Sequence, residues 1–446
     1  MARLARGLPL VLTLLAWAAG CSGAFKLGPR PKAAPGLIVR YRSSGGVGIA
    51  AVVAGTSGPK VIAPSLNMYK LDIEDGTPPE VKAAQLTKLG GVLYAIPDTW
   101  VSIAAGPRPR PSPRPGPKPP LPRPPTPHPP SNVVRPASVQ PTDPMYDDQW
   151  ALPHIRAPRA WTYLSNASPV LHCIVDTGVK WDHPDLAANL VYASEDFKRN
   201  NYDDNGHGTH VAGIMGAVAN NRRGISGAAW RSRILACKAL DATGWGLISK
   251  VVECIEYCRA KGARVINTSF VLTELNVALR DAISNGTAAG VFFAGAAGNA
   301  GSDNDQANYY PGGFAFPGNV AVANIDSGSF LHSSSNYGAT SVQVAAPGAN
   351  ILSTWIYRDV ANQYYAYETG TSMAAPYVSA AAGLAIAASG GRVTNAEVAD
   401  ALVATSTPVP QLQGKVVSNG YINLEKLVIW AINRGKQLAA ASAAGR

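Results

Sequence analysis

Cysteine is scarce, five residues in 446. Cys21 falls inside a short apolar leader, which leaves Cys173, Cys237, Cys254 and Cys258. Four are too few to staple a domain this large, so a disulfide-built scaffold is excluded. Cys254 and Cys258 stand four apart on a predicted helix with no third and fourth ligand beside them, which argues against a metal site there. We read all four as small buried or half-buried residues; a Cys173–Cys237 bridge is the other possibility if the two lie on neighbouring strands. Charge is sparse and uneven. Residues 1–136 hold 17 Lys and Arg against 5 Asp and Glu, whereas residues 137–446 hold 22 against 23. The net charge of +11 therefore belongs to the front third, and no nucleic-acid partner is expected for the rest. Long apolar runs are missing as well. Leu8 to Ala19 is short for a membrane span but suits a secretory leader, and no later stretch reads as a transmembrane segment.

What is present is a globular composition, 46% apolar. Arg3 and Arg6 precede the apolar leader, and small Ser22 and Ala24 suit cleavage after residue 24, so residues 1–24 are read as a signal peptide. Ala19-Gly20-Cys21 faintly resembles a lipoprotein site, but Ala18 stands where leucine is usual, so simple secretion ranks above lipidation. Residues 36–104 read as a small α+β unit, with strands at Gly36–Tyr41, Val92–Pro97 and Trp100–Ile103 and a helix from Pro79 to Leu89. Gly106 to Pro130 holds 14 prolines in 25 residues, five Lys or Arg and no acid. Proline fixes φ and removes amide donors, so residues 105–136 form a stiff, extended linker.

From Asp143 onward apolar strands alternate with helices. Strands are predicted at Val170–Val175, Ile234–Leu240, Arg264–Asn267, Gly290–Ala294 and Val320–Ala323. Helices are predicted at His207–Val218, Leu247–Lys261, Ala278–Asn285 and Pro376–Ala388. Alternation of this kind implies an α/β fold, a three-layer doubly wound, mostly parallel sheet with helices on both faces. Fully apolar strands such as residues 290–294 suit a sheet covered on both sides.

Three segments carry chemistry. Gly370-Thr371-Ser372-Met373-Ala374-Ala375-Pro376 surrounds a serine with small residues ahead of a helix, whose unpaired amides and dipole favour developing negative charge. A serine hydroxyl needs a base, and the base an orienting group. Asn205-Gly206-His207-Gly208-Thr209-His210-Val211-Ala212-Gly213 offers the base and Ile174-Val175-Asp176-Thr177-Gly178-Val179 the acid. The three segments, in the order Asp, His, Ser, resemble the subtilisin-like serine peptidases, the subtilases. The pattern is nearest to the thermitase-like and proteinase K-like branches, and the resemblance spans about residues 145–435. Gly420-Tyr421-Ile422-Asn423 resembles the closing motif of that family.

The resemblance implies a catalytic domain over 143–435, preceded by an inhibitory pro-domain over 36–104 that covers the sheet face of the enzyme and templates its folding. It implies Ser372 as nucleophile, His207 as general base, Asp176 as the group holding the imidazole, and Asn299 as oxyanion donor with the Ser372 amide. Ser269, Phe270, Val271 and Leu272 align with the strand that pairs with substrate backbone, and Ala296, Ala297 and Gly298 with the opposite wall. Val271 and Leu272 depart from the family, which has two glycines there, so an altered pocket is expected, toward smaller residues. Met373 fills space beside the nucleophile and makes activity sensitive to oxidation. His210 is a structural residue of its helix, and His154, His172, His183 and His332 are packing or surface residues. Likeness to the thermitase-like branch also implies structural Ca²⁺, with Asp143, Asp185 and Asn221 supplying side-chain oxygens and Val218, Arg223 and Ile225 carbonyls. Asn166 and Asn285 head possible glycosylation sequons, while Asn267 heads one expected to be inaccessible. The expected protein is a secreted or cell-wall monomeric endopeptidase made as a zymogen. It would act on protein or peptide substrate and be inhibited by its own pro-domain. A sedolisin-type peptidase is argued against by His207 and by the sequence around Ser372. The alternative is a catalytically silent binding or cell-wall protein of the same fold.

Overall fold

A computed structural model describes residues 29, 36–42, 56, 59–103, 138–192, 194–357 and 364–444. The predicted signal peptide (1–24) and the predicted proline-rich linker (105–136) lie outside the described residues. The main domain is three-layered. Its central sheet has eight strands, ordered Thr407–Pro408, Gly420–Tyr421, Val344–Pro347, Asn319–Ile325, Phe292–Ala296, Val265–Thr268, Asn166–Asp176 and Arg231–Lys238. All neighbours run parallel except the pair at the Thr407 edge. Every residue of Phe292–Ala296 and Asn319–Ile325 is buried, as their unbroken apolar runs require. Asn166–Asp176 has its sequence neighbour Arg231–Lys238 on one side and Val265–Thr268 on the other. Strand order reverses at that point, and a crevice opens beyond the strand's carboxyl end, at Asp176.

One core layer is dominated by the helix Thr371–Ala388, which packs on the sheet and on His207–Gly216. By length and composition this helix could cross a membrane, against the expectation that no such stretch occurs; it is instead almost wholly buried within the domain. Its small residues admit close neighbours. A side chain at Gly383 would strike the His172 imidazole, which burial pushes down to about 4. On the other face lie Ile248–Ala260 and Val277–Ala288.

The cysteines correct the sequence reading. Cys173 is bonded to Cys258 and Cys237 to Cys254. Cys173 pairs in register with Leu235 and Cys237 with Val175, so the two strand cysteines lie two positions apart on one face. Ile248–Ala260 crosses that face and presents Cys254 and Cys258 one turn apart. The Cα–Cα separations are 6.0 and 5.6 Å, within bridging range.

The N-terminal unit is a four-stranded antiparallel sheet, ordered Lys60–Ala63, Met68–Asp72, Gly36–Tyr41 and Val92–Pro97, with helix Pro79–Thr87 on one face. Two expectations change here. The first is what the unit covers. The central sheet of the main domain is already covered by helices, so the unit's free face meets Ile248–Ala260 and Val277–Ala288, where Ile38, Ile62 and Met68 join Val251, Val252 and Ile255 in one apolar cluster. Arg40 pairs with Asp281, Tyr94 Oη donates to Asp281 at 3.0 Å, and Lys60 reaches Glu253 at 3.1 Å. The second is the fate of Trp100–Ile103, which does not join the small sheet. It runs antiparallel between Phe270–Val271 and Trp245–Leu247 of the main domain. Asp98 anchors its start by accepting from the Ser249 amide at 2.9 Å and the Ser249 hydroxyl at 2.6 Å, at the first turn of Ile248–Ala260.

Candidate active site

Asp176 is the last residue of the central strand and is fully buried. The turn after it uses Gly178 at φ +103°, where a Cβ would strike the Asn201 carbonyl. His207 is the first residue of its helix, entered through Gly206 at φ +109°, and a side chain at Gly206 would meet the Trp355 ring. The two elements meet tightly enough that a Cβ on Gly208 would fall 2.1 Å from the Gly178 carbonyl oxygen. That approach sets His207 Nδ1 2.7 Å from Asp176 Oδ1, and the same oxygen accepts from the Thr177 amide at 2.7 Å. A carboxylate held this way fixes which imidazole nitrogen faces it.

The helix Thr371–Ala388 starts five residues earlier than the predicted start at Pro376, and Ser372 is its second residue. The first turn therefore contains the hydroxyl, and Pro376 lies inside the helix. Proline has no N–H, so the Ser372 carbonyl loses its usual helical donor. Ser269 Oγ donates to that carbonyl at 2.9 Å instead, and Ser372 Oγ donates to the Ser269 carbonyl at 3.1 Å. Ser269 is held in turn by Asn267 Nδ2 at 2.8 Å, whose oxygen accepts from Ser379 Oγ at 3.0 Å. Asn267 is buried, as expected for its sequon.

Asn299 follows the strand Phe292–Ala296 through Gly298 at φ +114°. Its Oδ1 accepts from the Thr371 amide at 2.8 Å and from Thr371 Oγ1 at 3.0 Å. With the oxygen committed to the residue before Ser372, Nδ2 faces the Gly370 side, where a Cβ would come within 3.1 Å of it. Asn336 braces this loop, donating to the Ala297 carbonyl and accepting from the Ala300 amide. Phe270, Leu272, Ala296 and Ala297 are buried and Val271 is half-buried; the Leu272 backbone pairs with Tyr310, which ends the lane along Phe270–Val271.

Sequence reasoning passed over Asp203. It is fully buried, and burial pushes its carboxyl up while hydrogen bonds oppose the shift. Oδ1 accepts from Thr177 Oγ1 at 2.8 Å and from the amides of Asn205 and Gly206; Oδ2 accepts from the Thr209 amide and hydroxyl. Thr177 Oγ1 accepts in turn from the Gly208 amide at 2.9 Å. Asp203 thus ties the turn after Asp176 to the first turn of the His207 helix. An acid just ahead of Asn-Gly reads as a turn residue in sequence, which hides this role. His210 behaves as expected, buried with Nε2 at 3.1 Å from the Ile351 and Ala366 carbonyls.

The expected calcium residues also gather. Asp185 accepts from Asn221 Nδ2 at 2.6 Å, the Ile225 amide at 3.0 Å and Tyr365 Oη at 3.2 Å. Burial, with a smaller push from Asp143, raises its carboxyl to about 6. Asp143 is committed elsewhere, taking the amides of Asn220, Asn221 and Arg222 and the Ser226 hydroxyl. A buried acid, an amide and the carbonyl-bearing residues 218, 223 and 225 on one loop match hard-cation donor chemistry. Among the described residues no group of three or more His, Cys, Asp or Glu side chains is placed to hold a metal.

Residues 169–423 match the family model described as Subtilase family. Thermitase of Thermoactinomyces vulgaris is 40% identical over 263 residues, 58% of this chain and 89% of thermitase. A thermophilic serine proteinase of Bacillus sp. (strain AK1) is 39% identical, and halolysin of Haloferax mediterranei 36%. Those matches cover 56% and 57% of this chain but only 59% and 49% of the two relatives. A solved protease structure from Pseudoalteromonas arctica superposes with a TM-score of 0.57 at 28% identity, covering 65% of this chain and 99% of that one. On the family match, the relatives and the fold together, the chain belongs to the subtilase family of serine peptidases.

Proposed function

We propose that this chain is a secreted serine endopeptidase, made as a zymogen with a signal peptide (1–24), a pro-domain (36–104), a proline-rich linker (105–136) and a catalytic domain (143–435). The observation that carries the chemistry is the 2.7 Å Asp176–His207 contact at the carboxyl end of the central strand. The helix bearing Ser372 packs beside the helix bearing His207.

Ser372 Oγ attacks the scissile carbonyl as His207 Nε2 takes its proton. Asp176 holds the ring and stabilises the imidazolium, which then protonates the leaving amine. When Ser372 turns from the Ser269 carbonyl toward His207, that carbonyl is released to accept from substrate backbone. The oxyanion meets Asn299 Nδ2 and the Ser372 amide at a helix N-terminus, and loss of one such donor costs about 3 kcal/mol of barrier. The strand Trp100–Ile103 keeps substrate out of the Phe270–Val271 lane, which supports the pro-domain as an intramolecular inhibitor. The basic start and the apolar leader after it support secretion. Asp185, Asn221 and the carbonyls of Val218, Arg223 and Ile225 would hold Ca²⁺, with Asp143 fixing the loop rather than binding the ion. Bound calcium would cross-link that loop and add stability without entering the chemistry.

Labelling with a fluorophosphonate probe tests the reading. Processed enzyme should label at Ser372 and the Ser372→Ala chain should not. Absence of label in material freed of residues 1–136 would favour the silent binding protein instead.

A further inference from the structure

Asn336 lies outside the three segments that carry the chemistry, and it is fully buried. Both ends of its side chain are directed at the loop that bears Asn299. Nδ2 donates to the Ala297 carbonyl at 3.1 Å and to Asn304 Oδ1 at 3.0 Å. Oδ1 accepts from the Ala300 amide at 2.8 Å and from the Ser302 amide at 3.1 Å. A primary amide has two N–H bonds to donate and two lone pairs to offer, and all four are matched here. No other side chain of this length fits: aspartate lacks the donors, and leucine matches only the shape. The Asn336 backbone amide adds a fifth bond, to the Gly298 carbonyl at 2.9 Å. The contact is close as well, since a Cβ on Gly298 would fall 2.4 Å from Asn336 Nδ2.

Asn299 is thereby gripped from both sides. Ala297 and Gly298 precede it; Ala300 and Ser302 follow it. The side before it has further supports. Ala297 donates its amide to the Val322 carbonyl at 3.1 Å, and its own carbonyl accepts from Asn304 Nδ2 at 2.9 Å. The amides of Ala300 and Ser302 take Asn336 as their acceptor. Loss of Asn336 therefore loosens the chain after Asn299 more than the wall before it. At its other end Asn299 is fixed by Thr371, through Oδ1. Thr371 sets the rotation of the Asn299 amide, and Asn336 sets the backbone from which that amide extends.

We infer that Asn336 is a positioning residue for catalysis: it fixes where Asn299 Nδ2 stands when the oxyanion forms. The inference rests on the proposed role of Asn299 and adds the residue through which that role is kept. An oxyanion donor works at about 2.7–3.1 Å, so a drift near 1 Å removes most of its effect. The oxyanion exists only after attack, so the loss falls on kcat rather than on KM.

The test is a double-mutant cycle on processed enzyme. Hydrolysis of a peptide anilide is read as kcat per site titrated with a fluorophosphonate. Asn299→Ala should lower kcat roughly 100–1,000-fold, the range for one oxyanion donor. Asn336→Ala should lower it roughly 10–100-fold, with KM within about threefold. In the Asn299→Ala background the same change should lower kcat by less than about threefold, because the donor it places is gone. A residue that only supports folding would lose equally in both backgrounds. Asn336→Asp keeps an acceptor for both amides and should fall between Asn336→Ala and wild type. It takes the place of Asn336→Ala in the cycle if the alanine chain yields no titratable sites. Wild-type enzyme that neither labels nor hydrolyses would sink the proteolytic reading. Asn299→Ala with wild-type kcat would sink the oxyanion assignment, and the inference with it. A slow Asn299→Ala beside an Asn336→Ala that keeps wild-type kcat, or that loses the same factor in both backgrounds, would overturn the positioning inference alone.

Discussion

Asp203→Asn perturbs the site without touching a reacting group. The aspartate accepts five hydrogen bonds from a fully buried position. The asparagine keeps the volume and one oxygen, but its NH₂ faces donors that had an acceptor. Two or more buried donors lose their partner at about 1–3 kcal/mol each, so the catalytic domain should lose roughly 3–5 kcal/mol. For a domain of this size that lowers Tm by roughly 6–15 °C. Both ends of the network border the Asp176–His207 pair, through Thr177 and through Gly206 and Gly208, so His207 should also shift relative to Ser372. A displacement near 1 Å can lower the rate about 100-fold. The assay is kcat on active-site-titrated enzyme, well below the new Tm, beside calorimetry. KM should stay within about twofold, because no substrate contact changes. Thr177→Val removes one bond from Asp203 and the acceptor for the Gly208 amide, and should produce a smaller loss of the same kind, about 1–2 kcal/mol. If Asp203→Asn lowers Tm but the titrated enzyme keeps wild-type kcat, the acid serves folding alone and the reasoning fails.

Three further outcomes follow from particular contacts. Burial holds the His172 and His183 imidazoles near 4, below their unfolded value of 6.5, so each contributes roughly 3 kcal/mol that is fully present above pH 6.5 and lost as pH falls toward 4; urea midpoints across that window should fall steadily, and His172→Leu should flatten the slope. The bridges close loops with separations of 85 and 17 residues, worth roughly 4–5 and 3 kcal/mol by chain entropy, so Cys173→Ala with Cys258→Ala should lower the denaturation midpoint further than Cys237→Ala with Cys254→Ala. Asp98→Ala removes the acceptor for two Ser249 donors where the N-terminal unit meets Ile248–Ala260, and on the proposed zymogen reading it should make activity appear sooner after synthesis, followed with a chromogenic peptide.

How much of this was legible in sequence depends on the range of the interaction. The meeting of Asp176 and His207 could be read because each sits in a short stretch whose neighbours serve it, with glycines where strand and helix nearly touch. The sheet could be read from its apolar runs, and the strands at Gly36–Tyr41, Val92–Pro97 and Trp100–Ile103 appear with the expected bounds. The partners of those elements could not. Cys173 and Cys237 look the same in sequence whether they face each other or the helix above them, because register between strands joined by a long connection is set by packing. Pro376 reads as a helix start, since a proline is welcome in a first turn; the Ser269 hydroxyl, 103 residues away, satisfies the carbonyl it leaves bare. Trp100–Ile103 shows the limit most clearly. Its residues specify a strand, but a strand is an incomplete object until its edges are paired. Both neighbouring segments belong to the main domain, and what reads locally as the last strand of a small sheet becomes the middle strand between Phe270–Val271 and Trp245–Leu247.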